Sequence, residues 1–223
     1  MKKVLLAALA LFTFTSAMAL DNEPKPGLTF QGQVGLDISN LRGSEMNAKP
    51  GANLGFYGQY MFEKAHGTYL FTGLEYAMKG AKLSAGGATM KETLHYLEIP
   101  VHVGFQYNII PELGVFADFG PYIAVAPGGR GVFDYDSDLI EDYHYNILKK
   151  HDTGSYTPGH LGIQRFDWGF GFRFGAEYNQ HYSLNVAFDW GATDVLRDSW
   201  RYQFPGSNKL KTFNTAITLG YRF

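Results

Sequence analysis

Ten charged residues recur between bulky apolar ones in this chain: Glu75, Lys79, Glu98, Asp118, Arg165, Asp167, Arg173, Glu177, Asp189 and Arg222. Gathered on one surface, they suit either a relay for protons or ions, or a closed set of salt bridges and hydrogen bonds. The closed set is the favoured reading, because charges removed from water need partners. Glu98 and His102 share a strand face but stand four residues apart, about 13 Å at 3.3 Å per residue, too far for an acid–base pair. Asp134, Asp136 and Asp138 match the first three ligand positions of an EF-hand loop. The sixth and twelfth positions are Leu139 and Tyr145 instead of glycine and glutamate, so that motif fails. A solvated acidic loop is the main reading of this stretch, and a looser cation site the lesser one. His144, His151 and His160 lack metal-ligand spacing and read as exposed loop residues. His95 has no nearby serine in a recognisable motif. No catalytic, metal or cofactor site is assigned, and no cofactor is implied.

The elements that must carry these charges have a period of two. "FDWGFGFRFGAEY", residues 166–178, places large rings at alternate positions with Asp167, Arg173 and Glu177 between them. The same alternation marks seven other segments: 28–38, 53–62, 69–79, 96–107, 113–125, 182–190 and 211–223. Each is a strand with two unlike faces, long enough to cross a bilayer at a tilt, which takes about 9–11 residues. Tyr57 and Met61 blur the pattern in the second segment. The connections alternate long and short: 39–52, 63–68, 80–92, 108–112, 127–163, 179–181 and 192–209. Gly67, Pro111 and Asn179 sit in the short ones, where the chain must reverse. Tight turns at one rim and extended loops at the other predict an eight-stranded antiparallel up-and-down transmembrane β-barrel. No amphipathic helix of ten or more residues supports a βαβ alternative; "DSDLIEDYHYNILKK", 136–150, predicts at most a helical turn or two inside the longest loop.

Volume decides which face looks outward. Eight strands enclose an interior just wide enough for side chains to fill. The apolar sets carry up to six bulky groups per strand, too many for that lumen, which excludes a lipocalin-like barrel with its apolar face inside. The opposite sets contain Gly55, Gly73, Gly104, Gly120, Gly169, Gly171, Gly175 and Gly220, which suit a crowded interior. Rings at strand ends next to the short turns, among them Tyr60, Phe62, Tyr107, Tyr178 and Tyr182, form the girdle that such barrels place at a headgroup boundary. A β-sandwich is the weaker alternative, since sandwiches seldom keep alternation through so many evenly connected strands. The ten charged residues then face the lumen as a polar network.

The N-terminus fits this picture. "MKKVLLAALALFTFTSAMA" has the basic, apolar and small-residue order of a secretory signal peptide, with cleavage predicted after Ala19. The 19 basic residues less Lys2 and Lys3 stand against 21 acidic ones, near −4, so no basic face points to nucleic acid. There is no cysteine, hence no disulfide framework. No later segment approaches 18 consecutive apolar residues, so a spanning helix is excluded.

"KPGANLGFYGQY", "LHYLEIPVHVGFQY", "FADFGPYIAVAPGG", "RFDWGFGFRFGAEY" and the ending "ITLGYRF" resemble, in order, the blocks of the PorT-like outer-membrane β-barrel family of bacteroidete bacteria. "YLEIP" followed by "GPY" is the most specific part, and the resemblance covers nearly the whole mature chain. It implies an outer-membrane barrel, mostly without an assigned activity. Tyr221 and Phe223 resemble the C-terminal signal read by the barrel-assembly machinery. The long 127–163 loop departs from the short family pattern.

The reading is thus a signal peptide over 1–19, a short periplasmic segment over 20–27, and an outer-membrane barrel over 28–223, with both termini periplasmic and loop 127–163 extracellular. The partners expected are outer-membrane lipid, the assembly machinery during biogenesis and an envelope protein. The role expected is structural or interactive. A small pore is the first alternative and a lipid-modifying enzyme the second.

Overall fold

The computed structural model describes residues 24–85, 88–135, 142–148, 162–196 and 209–223. The predicted leader lies outside them. Nine strands follow in order: β1 (Gly27–Arg42), β2 (Asn47–Met61), β3 (Thr68–Ala85), β4 (Ala88–Ile110), β5 (Leu113–Tyr135), β6 (Tyr143–Tyr145), β7 (Phe166–Tyr178), β8 (Tyr182–Gly191) and β9 (Lys211–Arg222). Each long strand pairs antiparallel with its chain neighbours. β1 meets β9 (Gly35 opposite Thr218) and β4 meets β5 (Glu98 opposite Ala124), so eight strands close into a barrel. The ninth, β6, is a short addition on the far end of β5 (Val132 opposite His144). Among the described residues no helix is long and apolar enough to cross a membrane.

Closure follows from the two-faced pattern: a ring leaves no edge strand to expose unpaired backbone groups, which hydrocarbon could not solvate. Two of the three short turns close through left-handed backbone. Gly67 has φ +85°, and a side chain there would meet the Gln106 carbonyl; Asn179 has φ +55°, a region that asparagine tolerates.

The outer face is apolar through the middle of the barrel. Leu28, Phe30, Val34, Leu36 and Ile38 are exposed on β1, and Leu97, Ile99, Val101 and Val103 on β4. From Leu28 to Ile38 the band runs about 33 Å along the strand, or roughly 25 Å of height at the usual tilt, which matches a bilayer's hydrocarbon core. The opposite residues on β1, Gln31, Gln33 and Asp37, are buried in the lumen.

Three expectations need correction. The strands outrun their predicted ends toward the long connections: β3 and β4 continue to Ala85 and from Ala88, through most of the predicted 80–92 loop, and β5 continues to Tyr135. Cross-strand pairing sustains these extensions, which polar composition had disguised as loop. In the 136–150 stretch, the described part 142–148 holds strand β6 and a following turn; 136–141 and 149–150 lie outside the described residues. Bulky groups also enter the lumen: Tyr57, Met61, Tyr69, Phe71 and Phe116 are buried there as one cluster. Glycines make the space. A methyl at Gly104 would overlap the Tyr69 ring and the Asp118 Cβ, and one at Gly55 would overlap Tyr57.

Candidate functional site

The lumen gathers charged and polar side chains in tiers along the axis. Near the short turns, Arg222 from β9 bonds Glu177 from β7 (2.6 Å to Oε2) and Gln59 from β2 (2.9 Å), while Gln106 donates to Glu177 at 3.1 Å. The next tier centres on Asp118, whose side chain is fully buried. Arg173 donates to Asp118 Oδ2 through Nη2 (2.6 Å) and Nε (3.0 Å), and Tyr69 donates at 2.6 Å. His102 Nδ1 lies 2.9 Å from Asp118 Oδ1. The Arg173 guanidinium lies 3.6 Å over the Phe71 ring, so one planar face is packed while Nε and Nη2 are hydrogen-bonded. Above it, Lys79 contacts Glu98 at 2.8 Å and Asp189 at 3.4 Å, and Tyr57 donates to Glu75 at 2.5 Å. Asn53 and Asn214 both donate to Asp37, at 2.8 and 3.0 Å. Thr212 donates to Asp167 at 2.5 Å.

All the predicted polar residues except Arg165 therefore point inward and find partners. Arg165 is exposed just ahead of β7 and donates to the carbonyls of Ala126 and Pro127. Its position one residue outside the strand removes it from the alternation that was used to place it. Glu98 and His102 serve different tiers and do not meet. A cavity of about 40 Å³ among Tyr57, Glu75, Glu98, His102, Arg173 and Asp189 has room for a few waters. His102 Nε2 and Arg173 Nη1, buried without a protein partner, are natural bonding groups for such waters.

The chain's reading as loop-rich and polar beyond the strands missed a second feature. At the long-connection rim the lumen is closed by an apolar cap. Leu94, Tyr96 and Tyr122 from the barrel wall pack with Ile147, Leu148, Ile163, Val195, Leu196 and Leu210 from the connections. Backbone bonds tie these pieces together: Ile163 N to Ile147 O (3.1 Å), Gln164 N to Val195 O (2.8 Å) and Val195 N to Leu210 O (2.8 Å). Tyr145 of β6 turns its ring inward over Gly131, where any side chain would collide with it.

Glu92 is a fully buried carboxyl within this cap, and Asp194 beside the cap accepts from the Leu196 and Leu210 amides at 3.2 and 3.1 Å. Glu92 on β4 has no exposed surface; the Tyr145 hydroxyl donates to its Oε1 at 3.2 Å, and its Oε2 has no partner among the described residues. It lies beyond the apolar band, since the outward residues beside it are Lys91 and Thr93. Burial pushes the Glu92 carboxyl up to about 8, against the opposing effect of the Tyr145 bond. The signal that could have located it is its parity: Glu92, Leu94, Tyr96 and Glu98 continue one face of β4.

The other candidates separate. Asp134 pairs with Lys91 at 2.6 Å, while Asp136 and Asp138 lie outside the described residues. His144 lies beside Arg130 at 3.0 Å, and His151 and His160 lie outside the described residues. His95 meets the Tyr76 hydroxyl at 2.6 Å on the outer face. Among the described residues no three potential metal ligands cluster. Tyr221 and Phe223 are exposed at the short-turn rim, edge to face at 5.4 Å, with the Phe223 amide bonded to Phe30 O.

No curated protein matches the sequence. Among solved structures, the attachment invasion locus protein Ail of Yersinia pestis is similar, with 10% identity over 90% of this chain and 100% of that one, at a TM-score of 0.39. Neisserial surface protein A gives 9% identity over 88% and 97%, at 0.44. OprG from Pseudomonas aeruginosa gives 15% over 91% and 99%, at 0.38. The family model described as outer membrane protein beta-barrel domain matches residues 7–223. The chain belongs to the outer membrane protein β-barrel domain family.

Proposed function

We propose that this outer-membrane barrel has a plugged, non-conducting lumen and serves a structural or interaction role at the cell envelope, without enzymatic activity. The observation that carries the reading is the double closure of the lumen: tiers of paired polar groups through its length, and an apolar cap across one mouth. Among the described residues, Leu94, Tyr96, Ile147 and Val195 are buried in the cap and stand in the way of a hydrated ion. The paired charges hold the wall strands to one another from inside, Arg173 linking β7 to β5 and Lys79 linking β3 to β4 and β8.

In this reading the signal peptide over 1–19 is removed on export, both termini and the short turns face the periplasm, and the capped rim faces outward. Tyr221 and Phe223 form the C-terminal signal for the assembly machinery, and the PorT-like affiliation rests on the "YLEIP" and "GPY" blocks. The capped rim is the surface an envelope partner would meet, since the band below it is committed to lipid. Planar-bilayer recording tests the plug. The proposal expects no discrete conductance steps from the purified mature chain; reproducible unitary openings would replace it with the pore.

A further inference from the structure

The outer face changes character abruptly at the long-connection rim. Six contiguous strands, taken around the barrel from β9 through β1 to β5, each carry one cation there: Lys211, Arg42, Lys49, Lys82, Lys91 and Arg130. Lys211, Arg42, Lys82, Lys91 and Arg130 stand at outward positions, and Lys49 is half-buried in the irregular stretch of β2 between Ala48 and Asn53; each lies two to six residues beyond an outward apolar residue of its strand, Phe213, Ile38, Leu54, Met78, Leu97 and Val125. Among the described residues the opposite rim has no such arc: Lys25 and Lys64 are matched there by Glu63 and Glu112.

The cations are stacked against one another. Lys82 lies directly opposite Lys91 across β3 and β4, and Arg42 directly opposite Lys211 across β1 and β9. Like charges so placed destabilise a strand pair unless something neutralises them. Lys49 runs across Gly80, which offers no side chain to block it, and reaches Thr93 Oγ1 at 2.7 Å. Burial and then the Lys91 charge hold the Lys49 ammonium below its usual value, as expected of two neighbouring cations. Among the described residues, Asp134 is the sole acid ion-paired with any of the six, through Lys91.

We propose that this arc binds the phosphate-bearing headgroups of anionic lipid in the leaflet at the long-connection rim, with the Lys49–Lys82–Lys91 group as its strongest site. The proposal depends on the membrane reading above and adds to it which leaflet lies where. The height fits: the cations sit where acyl chains give way to phosphates. Lysine ammoniums on flexible stems suit phosphate as mobile point charges, and Thr93 adds a hydroxyl. A phosphate lodged between Lys82 and Lys91 counters the repulsion that the register builds in and that Asp134 relieves at Lys91 alone.

The test is native mass spectrometry of the mature chain folded in neutral detergent, with diphosphoryl lipid A, phosphatidylcholine and inorganic phosphate as separate probes. Folding is checked by heat-modifiable gel mobility. Wild type retains lipid A in preference to phosphatidylcholine, and the Lys49→Gln/Lys82→Gln/Lys91→Gln variant loses that retention by on the order of 100-fold. The corresponding triple arginine variant keeps it. If the glutamine triple does not fold, Lys82→Gln alone, which relieves a like-charge pair, carries the comparison. Equal retention by wild type and glutamine variant overturns the proposal, as does binding of inorganic phosphate as tight as that of lipid A. A folded chain that enters no bilayer of any composition strikes the membrane reading instead.

Discussion

Replacing Glu92 with glutamine isolates the acid buried in the cap. The folded value of about 8 lies above the ordinary 4.5. The closed cap therefore holds a proton that the opened, hydrated cap gives up between those values. Stability from this group is fully present below pH 4.5 and declines as pH rises through the window to about 8. Each pH unit in that window is worth about 1.36 kcal/mol, so roughly 3 kcal/mol of cap stability is lost by pH 7 and about 5 kcal/mol by pH 9. Glu92→Gln keeps the shape and can still bond Tyr145 but has no charge to bury, so its cap should be insensitive to pH. Hydrogen exchange reads this directly at the Ile163 and Val195 amides, which bond Ile147 O and Leu210 O. After correction for intrinsic exchange, wild-type protection should fall between pH 5 and 9 while the variant's stays level. Equal slopes in both proteins would refute the assignment of Glu92 as the buried acid that governs the cap.

Three other perturbations bear on the barrel itself. Arg173→Ala leaves Asp118 buried with only Tyr69 and His102, and should cost about 3–5 kcal/mol in denaturant unfolding from lipid; a loss below about 1 kcal/mol would place that tier in contact with water. Gly104→Ala forces a methyl into the Tyr69 ring and should cost about 1–3 kcal/mol in the same assay, with an unchanged midpoint showing that the lumen is loosely filled. Ile217→Arg, mid-strand on the outer face opposite Leu36 and Val186, should cost about 2–4 kcal/mol in bilayers; tolerance of the charge would argue that this face is wet.

The barrel was legible because one physical signal repeats eight times. Leu97, Ile99, Val101 and Val103 alternate with Glu98, His102 and Gly104, and hydrocarbon outside with crowding inside demands that difference at every step. The signal fades where both faces meet similar surroundings. From Met90 to Tyr96 the inner face turns apolar to build the cap and the outer face turns polar beyond the membrane, so the alternation inverts and reads as loop. Tyr57 and Met61 blurred the pattern for a related reason: room for a bulky inward group depends on glycines on neighbouring strands, Gly73 beside Tyr57 among them, and adjacency across strands is not a sequence-local property. The same limit hid Glu92, whose partner Tyr145 is 53 residues away. Arg165 was misplaced because parity was carried one residue beyond the strand that enforces it.

The central claim is that the exposed rings and aliphatic groups are solvated by acyl chains. Trp168 and Trp190 lie on the outer face, 43% and 37% exposed, and serve as internal probes once Trp200 is replaced by phenylalanine. With the folded Trp200→Phe chain in vesicles, the decisive measurement is tryptophan quenching by lipids brominated along the acyl chain. Strong quenching that depends on bromine depth is the predicted result; emission unaffected by bromine at any depth, from a barrel shown to be folded, would contradict it.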